Sequence, residues 1–323
     1  MAVIEGKKVK IFALSSNPEL AEEISKVSGI PLSKVDIGRF SDGEISLNIS
    51  ESVRGNDVFV IQSTSSPVNE NIMELLILSD ALKRASAKNV TLVIPYYGYS
   101  RQDRKAQSRQ PISAKLIADL IQVAGANRVI CIDLHAAQIQ GFFNIPIDNF
   151  PASPYLASYF KKMRLSDIVV VSPDHGGVTR ARKFASYFPN SSLAIIDKRR
   201  PKPNSCEVMN IIGDVKNKIA IIIDDIIDTA GTICAAADAL IVEGALEVYA
   251  AATHGVLSGD AIKNINDSKI KSLVISNSIK ITPEKMSPKI TILPIGALLG
   301  RAILNIINDE PISQIFDNVV NEQ

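Results

Sequence analysis

The run from Ile219 to Thr232, IAIIIDDIIDTAGT, places three aspartates and two threonines directly after five apolar residues. Such an apolar run is typical of a buried strand. Backbone N–H groups of a small-residue loop that leads into a helix can hold a phosphate, and the hydroxyls of Thr229 and Thr232 add donors. The adjacent acids Asp224 and Asp225 suit vicinal hydroxyls or a metal ion. The alternative is a helix cap, but a cap needs one acid and this run has three.

A second chemically suggestive stretch is Val171 to Arg182, VSPDHGGVTRAR. Its two glycines let the backbone approach an anion closely, and Asp174 could hold Mg²⁺ between its oxygens. Arg180 and Arg182 follow on a predicted helix. The stretch therefore predicts a site for pyrophosphate and a metal ion, and the alternative is a glycine-rich turn before a surface helix.

Two further stretches follow predicted strands. Pro95 to Lys105, PYYGYSRQDRK, combines three tyrosines with Arg101, Arg104 and Lys105, and guanidinium groups with polar neighbours suit triphosphate and nucleobase binding. A solvated basic loop is the alternative. His135, in Asp-Leu-His after another apolar run, can coordinate a metal or bond a phosphate oxygen, unless it is purely structural.

A basic run, Asp197-Lys198-Arg199-Arg200, precedes a segment without clear periodicity, RPKPNSCEVMNIIG, from Arg200 to Gly213. Long irregular segments in compact domains are usually functional. The cations Lys198 and Arg200 could close over a transferring phosphoryl group and neutralise its developing charge. The alternative is a solvated charge run.

Short β-branched runs alternate with helical patterns, which is typical of parallel α/β units. Strands are predicted at Val9 to Leu14, Val58 to Gln62, Val90 to Pro95, Arg128 to Leu134, Ile168 to Ser172, Ser192 to Asp197, Ile219 to Asp224, Glu247 to Ala252 and Ser272 to Ile275. Helices are predicted at Pro18 to Ser28, Asn69 to Ala85, Ser113 to Val123, Gly177 to Phe188, Thr232 to Glu243 and Pro294 to Ile307. In open parallel sheets ligands bind outside the carboxyl ends of the strands, which is where the polar motifs fall.

The segment Asn144 to Pro154, NIPIDNFPASP, contains three prolines and is the best candidate linker. We place a domain boundary near Pro151, which predicts an N-terminal domain of residues 1–150 and a C-terminal domain of residues 151–303. The tail, residues 304–323, is expected to pack back on the first domain. The predicted fold class is α/β, with two similar domains that each contain a mainly parallel sheet flanked by helices.

Bulk composition predicts an ordinary soluble protein. The 323 residues are 46% hydrophobic and 21% charged, and 35 basic residues balance 34 acids, so no overall field favours nucleic acid or an anionic membrane. Lys7, Lys8 and Lys10 precede an apolar run too short for a signal peptide, and no run reaches the ~20 residues of a membrane span. Three cysteines without metal-ligand spacing favour a reducing cytosol.

The run DDIIDTAGT resembles the phosphoribosyl-binding loop of the type I phosphoribosyltransferase fold. Many transferases of that fold carry Gly-Gly or Cys-Gly before the last threonine. Ala230 departs from that pattern and resembles the variant of ribose-phosphate pyrophosphokinases. With GRFSDGE at Gly38 to Glu44, the motifs together resemble the class I ribose-phosphate pyrophosphokinase family over essentially the whole chain.

The resemblance implies a role for each motif, and Arg200 and His135 each have two. Its ATP contacts would be Phe40, Asp42, Gly43, Glu44, Arg101, Gln102 and His135, with the GRFSDGE segment reaching a neighbouring subunit's nucleotide. Its ribose 5-phosphate contacts would be Arg200, Asp224, Asp225, Asp228, Thr229, Ala230, Gly231 and Thr232. His135 and Asp174 would organise the metal, and Lys198 and Arg200 would act catalytically in a flexible loop.

The implied reaction transfers the β,γ-diphosphoryl group of ATP to the C1 hydroxyl of ribose 5-phosphate. Its products are phosphoribosyl pyrophosphate, which supplies nucleotide, histidine and tryptophan biosynthesis, and AMP. Two Mg²⁺ ions per site are expected, one on ATP oxygens and one near the sugar hydroxyls that lowers the pKa of the C1 hydroxyl. In-line attack on the β-phosphorus needs positioning and charge neutralisation rather than a covalent intermediate.

The resemblance also implies a cytoplasmic homohexamer built from dimers, with phosphate or ADP as allosteric effectors. Ser108, Arg109 and the tail near Ser313 match regions linked to that regulation, whereas Ala137 replaces a residue that is polar in many relatives. Partners other than substrates, effectors and further copies, such as nucleic acid or membrane, are not expected.

Two rival functions share these features. A transferase that consumes phosphoribosyl pyrophosphate would share the Asp224 to Thr232 loop, but would need neither two α/β halves nor the GRFSDGE and RQDR segments. A catalytically silent regulatory subunit should have a damaged loop, whereas Lys198 and Arg200 are present. ATP binding would not depend on a Walker A loop, because the sequence contains no G-x-x-x-x-G-K-[ST] run.

Overall fold

The computed structural model describes residues 2–199 and 208–315 and divides the chain into two compact units. Unit 1 comprises residues 2–151, 278–280 and 294–315. Unit 2 comprises residues 152–277, apart from 200–207, and residues 281–293. The chain thus returns to unit 1 at residues 278–280 and again from residue 294.

Unit 1 is built on a seven-stranded sheet and a two-stranded hairpin. Its strands are β1 (Ala2–Ile4), β2 (Lys7–Ala13), β3 (Leu32–Ser33), β4 (Val35–Arg39), β5 (Ile45–Ile49), β6 (Asp57–Ile61), β7 (Asn89–Ile94), β8 (Arg128–Ile132) and β9 (Ile147–Phe150). The sheet order is β1-β2-β6-β7-β8-β9, with β3 also paired to β2, while β4 and β5 pair with each other. Every neighbouring pair in the large sheet is parallel except β1 with β2.

Helices cover this sheet. They are α1 (Pro18–Ser28), α2 (Val68–Arg84) and α3 (Ser113–Ala124), with a 3-10 helix at Ala137–Phe142. The side chain of Asn17 accepts a hydrogen bond from the Leu20 N–H and so caps α1, while Gly29 ends that helix in a left-handed conformation. These local signals explain why the predicted and observed bounds of α1 coincide.

Unit 2 repeats the same architecture. Its strands are β10 (Ile168–Ser172), β11 (Ser192–Arg199), β12 (Val208–Ile212), β13 (Ile219–Ile227), β14 (Glu247–Gly255), β15 (Ile270–Ser276) and β16 (Ile290–Leu293). Its helices are α4 (Ser153–Lys162), α5 (Val178–Ala185), α6 (Gly231–Val242) and α7 (Ala261–Asp267), with a 3-10 turn at Pro283–Lys285. The strand order is β12-β11-β10-β13-β14-β15-β16, in which only β12 runs antiparallel to its neighbour.

The last helix, α8 (Gly296–Ile307), belongs to unit 1 and packs on α1. Two glycines make this close approach possible. A Cβ atom at Gly300 would lie 2.8 Å from Val27 Cβ, and the backbone N–H of Gly296 donates to the Glu23 carboxylate at 3.2 Å.

Central strands of both sheets are buried on both faces, as expected where helices cover a parallel sheet. Residues Ala220 to Ile223 of β13, for example, have side chains at most 1% exposed. The predicted α/β class, with two mainly parallel sheets flanked by helices, is confirmed.

Several local predictions were wrong. The predicted linker contains β9, which pairs in parallel with β8, and the predicted irregular segment contains β12, which pairs with β11. In both cases β-branched residues beside prolines or polar residues form edge strands because a neighbouring strand supplies hydrogen bonds. Strand β13 continues past the predicted end at Asp224 to Ile227, because it pairs with β14 as far as Gly255.

Candidate active site

In unit 2, two of the predicted motifs meet where β10 and β13 lie side by side. Arg180, near the start of α5, joins them: its Nη1 lies 3.0 Å from Asp224 Oδ1 and its Nη2 lies 3.0 Å from Asp225 Oδ1. One planar guanidinium therefore bridges the two adjacent carboxylates. This contact brings the glycine-rich turn and the acidic strand end into one cluster.

The acidic pair is electrostatically unusual. The side chain of Asp225 is 4% exposed and that of Asp224 is 25% exposed. Burial, reinforced by the hydrogen bond and charge of Asp225, raises the pKa of Asp224 to about 7, although Arg180 acts in the opposite direction. A single guanidinium does not offset two partly desolvated carboxylates, so the pair favours a further cation or a hydrogen-bond donor such as a sugar hydroxyl.

The turn after β10 is closed by its own residues. Ser172 Oγ donates to the Asp174 carbonyl at 2.7 Å, and the Gly177 N–H donates to Asp174 Oδ1 at 2.8 Å. A Cβ atom at Gly177 would lie 2.8 Å from Ser172 Oγ. Glycine therefore allows this tight turn, which presents backbone N–H groups at the start of α5.

The loop from Asp228 to Thr232 leads from β13 into α6. Ala230 has φ of 61°, in the left-handed region that favours glycine. Alanine therefore adopts the same backbone conformation that glycine would adopt here, but with some strain. Ser258 donates to the Asp228 carboxylate through its hydroxyl, and Asn264 Nδ2 donates to the Thr229 carbonyl at 3.0 Å. Residues after β14 thus hold the loop in place, while Thr229, Gly231 and Thr232 are exposed.

The glycine-rich turn also contacts the strand that leads into the predicted catalytic segment. His175 Nε2 lies 2.9 Å from Asp197 Oδ1, and Asp197 is buried. Lys198 follows on β11, where its backbone pairs with Met209 of β12. Arg200 lies outside the described residues.

In unit 1, the predicted nucleotide residues follow β7 and β8, which are neighbours in the sheet. Gln138 Nε2 donates to Asp103 Oδ2 at 2.6 Å, which links the loop of Arg101 and Gln102 to the turn that carries His135. Arg101, Gln102 and His135 are exposed. The structure therefore brings these three predicted residues to one edge of the sheet.

The GRFSDGE segment forms the tip of the β4–β5 hairpin rather than an isolated turn. Phe40 is 59% exposed. The Gly43 N–H donates to the Phe40 carbonyl at 2.9 Å, and the Glu44 N–H donates to Asp42 Oδ1 at 3.1 Å. The tip presents an aromatic ring and two acids to solvent from a closed turn.

The acidic residues of this site suit a magnesium ion that is bound jointly by protein and by a substrate phosphate. They do not suit an ion held by protein side chains alone. Within residues 2–199 and 208–315, no cluster of three or more His, Cys, Asp or Glu side chains is arranged to hold a metal. Mg²⁺ commonly keeps several waters and binds one or two carboxylates plus substrate phosphates. Asp174 and the Asp224–Asp225 pair supply the hard oxygen donors that such an ion needs.

A cleft of about 470 Å³ lies elsewhere, at the amino ends of the unit 1 strands. Its lining includes Lys7 and Arg128, which are already paired with Asp309 and Asp148 at 2.7 and 2.5 Å. Ligands of parallel sheets bind at the carboxyl ends, so this cleft is not the candidate site.

Sequence reasoning missed the residues that support the site. Arg180 was part of a predicted motif, but its bridge between the two aspartates was not predicted. Ser258 and Asn264 were not identified at all. The rule that polar residues follow apolar strands would have identified Ser258, since it lies just after β14. Asn264, on α7, has no comparable signal. The predicted regulatory residues Ser108, Arg109 and Ser313 are exposed in unit 1.

Each end of the chain matches the model of a known protein family. Residues 9–125 match the N-terminal domain of ribose phosphate pyrophosphokinase. Residues 189–317 match the phosphoribosyl synthetase-associated domain.

Relatives extend this similarity to nearly full length. A ribose-phosphate pyrophosphokinase of Bacillus caldolyticus is 62% identical over 310 residues, which cover 96% of this chain and 98% of the relative. One from Oceanobacillus iheyensis is 61% identical over 309 residues, 96% of this chain and 97% of the relative. The crystal structure of phosphoribosylpyrophosphate synthetase from Mycobacterium smegmatis matches with a TM-score of 0.90 at 42% identity, covering 94% of this chain and 100% of that one.

Proposed function

Because the chain belongs to the ribose-phosphate pyrophosphokinase family, we propose that it transfers the β,γ-diphosphoryl group of ATP to the C1 hydroxyl of ribose 5-phosphate. The protein is an enzyme of the ribose-phosphate diphosphokinase class. The proposed reaction releases AMP and phosphoribosyl pyrophosphate.

The observation that carries the proposal is the Arg180 bridge between Asp224 and Asp225, each at 3.0 Å. It holds an acidic pair beside a glycine-rich turn at the carboxyl ends of two adjacent strands. An acidic pair suits the vicinal hydroxyls of a ribose, while the N–H groups of the turn suit a diphosphate. Sugar and diphosphate are the two groups that the reaction must join.

Ribose 5-phosphate is assigned to the loop after β13. Backbone N–H groups at the start of α6, with the hydroxyls of Thr229 and Thr232, bind the 5-phosphate, and Asp224 and Asp225 orient the ring hydroxyls. Ser258 and Asn264 hold this loop through Asp228 and Thr229. The C1 hydroxyl is thereby aimed for in-line attack on the β-phosphorus.

Charge neutralisation is assigned to the cations of the segment that begins at Lys198. Lys198 and Arg200 act on the transferring group as charge develops on its equatorial oxygens. The leaving group is AMP, so the bond that breaks joins the α-phosphate's bridging oxygen to the β-phosphorus. The proton of the C1 hydroxyl is released to solvent, which requires no dedicated base among the described residues.

ATP is assigned to residues of unit 1. Arg101, Gln102 and His135 contact the nucleotide from the ends of β7 and β8. Phe40 stacks on the adenine of a neighbouring subunit's nucleotide, and Asp42 to Glu44 bond the edge of that adenine. His135 and Asp174 would hold Mg²⁺, with a second ion near Asp224 and Asp225. When bound, Mg²⁺ supplies positive charge on the phosphate oxygens and the sugar hydroxyls.

We further propose a homohexamer built from dimers, in which the GRFSDGE tip serves a neighbouring subunit's nucleotide and phosphate or ADP acts as an effector. Exposed acids and an exposed aromatic ring at the hairpin tip support a role in binding outside its own unit.

A cytoplasmic role in supplying nucleotide, histidine and tryptophan synthesis agrees with the free thiols of Cys131 and Cys234. No helix in the described ranges is long and apolar enough to cross a membrane.

The decisive experiment is incubation with ATP, Mg²⁺ and ribose 5-phosphate, with nucleotides separated by chromatography. AMP should appear without ADP, in step with phosphoribosyl pyrophosphate. Formation of ADP would indicate single-phosphoryl transfer and overturn the proposal. Absence of AMP with saturating substrates would favour the silent regulatory subunit, and consumption of phosphoribosyl pyrophosphate with a free base would favour the rival transferase.

A further inference from the structure

Arg39 is the last residue of the first hairpin strand, and its side chain is 38% exposed. Side chains alternate along a strand, so Val35, Ile37 and Arg39 share one face of β4. Val35 and Ile37 are half-buried against the unit 1 core. Arg39 continues that face to the last residue before the exposed tip.

The partner of Arg39 is a buried carboxylate on α2. The side chain of Glu74 is 1% exposed. It accepts hydrogen bonds from Ser15 Oγ and from Gln62 Nε2, the latter at 3.1 Å. Ser15 lies in the short loop between β2 and α1, and Gln62 directly follows β6. Because these donors come from buried strands and their loops, the Glu74 carboxylate is a rigid anchor rather than a flexible surface acid.

The Arg39 guanidinium docks on this anchor. Its Nη2 lies 2.9 Å from Glu74 Oε1 and 3.3 Å from Glu70 Oε2, while its Nη1 donates to the Gly38 carbonyl at 3.1 Å. The hydrogen bond with Glu74 raises the pKa of Arg39. The guanidinium therefore ties the end of β4 to α2 and to its own backbone at once.

The tip beyond Arg39 is itself closed. The Phe40 N–H donates to the Glu44 carbonyl at 2.8 Å, and Gly43 adopts φ of 95°, which glycine alone tolerates without strain. A turn that is rigid internally can still swing as a body at its base. The Arg39–Glu74 contact restrains that base, which fixes where the Phe40 ring is presented.

We propose that Arg39 is a positioning residue for adenine recognition: by locking the β4–β5 hairpin to the buried Glu74 carboxylate, it pre-orients the Phe40 ring for the nucleotide. The inference rests on the proposed ATP role of Phe40, because Arg39 acts on the nucleotide only through the position of that ring. Pre-organised contacts raise affinity because the ligand does not have to order them.

The Arg39→Gln variant tests this role, since glutamine keeps polarity but loses the charged fork. KM for ATP should rise about tenfold, which corresponds to the loss of roughly one charge-assisted hydrogen bond. KM for ribose 5-phosphate should stay within about twofold, and the Arg39→Lys variant should give an intermediate KM for ATP. The matched control is Arg84→Gln, which removes an exposed ion pair with Asp80 on α2, the helix that also carries Glu74. This change should leave KM for ATP and KM for ribose 5-phosphate unchanged.

A double-mutant cycle with Phe40→Ala separates positioning from general stability. If Arg39 acts through the aromatic ring, Arg39→Gln should add little to KM for ATP once Phe40 is absent. Full additivity, or equal increases in KM for both substrates, would overturn the inference. If Arg39→Gln does not fold, as judged by circular dichroism melting, the same cycle with Arg39→Lys gives the same two outcomes.

Failure of the proposed function is distinguishable from failure of this inference. If the unaltered protein forms no AMP, the proposed function itself fails. If it forms AMP and Phe40→Ala raises KM for ATP while Arg39→Gln does not, only the role of Arg39 is overturned.

Discussion

At the scale of single residues, the Arg180 guanidinium holds together the acidic cluster of unit 2. It contacts two adjacent carboxylates at 3.0 Å, of which Asp225 is almost fully buried. Taking one charge from such a cluster leaves the others without compensation in a medium of low dielectric. We therefore expect Arg180 to contribute both to stability and to the proposed chemistry of the site.

Replacing Arg180 with glutamine should lower the free energy of unfolding by about 2 kcal/mol, less than for a fully buried pair because the side chain is partly exposed. Activity should fall as well, since Asp224 and Asp225 lose the group that orients them. Urea unfolding and AMP formation measure the two effects. Lys183→Gln, a charge removal at an exposed position of α5, is the control, and equal effects of both variants would contradict the assigned bridge.

The raised pKa of Asp224 makes stability depend on pH. Its pKa is about 7 in the folded protein against 3.8 ordinarily, so the folded state binds more protons between these values and its stability falls as pH rises through that window. The Asp224→Asn variant lacks this contribution. In metal-free buffer, the variant should therefore be more stable relative to the unaltered protein at pH 8 than at pH 5. A stability difference that does not change with pH would refute the shift.

At the scale of elements, α1 and α8 are joined by a contact that only a small residue permits. A Cβ atom at Gly300 would lie 2.8 Å from both Val27 Cβ and Val27 Cγ1, and 3.2 Å from the Ile24 carbonyl oxygen. The helices can approach closely because glycine leaves room for the neighbouring backbone and side chain. Glycine at position 300 lowers the intrinsic stability of α8, but it allows the close packing of α8 on α1.

Gly300→Ala should therefore destabilise unit 1 by at least about 1 kcal/mol, because the clash outweighs the gain in helix propensity. Thermal unfolding gives the measurement. Gly141→Ala, in the exposed 3-10 helix where an added Cβ meets nothing within 4 Å, should be nearly neutral. Stabilisation by Gly300→Ala would show that the two helices can separate at little cost.

At the scale of the whole molecule, the chain leaves unit 1 and returns to it. Residues 278–280 and 294–315 belong to unit 1, although unit 2 lies between them and residue 151 in sequence. Ser63 Oγ donates to the Ser278 carbonyl, and Lys7 Nζ donates to the Ile307 carbonyl at the end of α8. Unit 1 is thus completed only after most of the chain has been made.

Truncation after Leu293 should selectively loosen unit 1, because it removes α8 from its packing partner α1. Limited proteolysis with mass spectrometry should show early cleavage within residues 2–151 and later cleavage in unit 2. Truncation after Ile315, which keeps α8, is the control. Equal resistance of the two truncated proteins would contradict the role given to α8.

Local pattern was sufficient for the α/β class and for the motifs themselves. Apolar runs followed by polar residues predicted the strands and the strand ends that carry the candidate site. The caps of α1 set its bounds. These features are predictable because each signal lies within a few residues of the next. Edge strands such as β9 and β12 were missed, since their formation depends on a neighbouring strand rather than on their own composition.

The sequence by itself determined which residues could do chemistry and the family to which they belong. Only the tertiary structure decided how they are held: Arg180 meets Asp224 across 44 positions, and Arg39 meets Glu74 across 35. Such contacts follow from sheet order and helix packing, which bring distant segments together. The contact leaves no periodic signal in the sequence of either segment. The loop from Asp224 to Thr232 was predicted from the sequence as a phosphate and sugar site, whereas the Arg180 bridge between its acids became visible only in the fold.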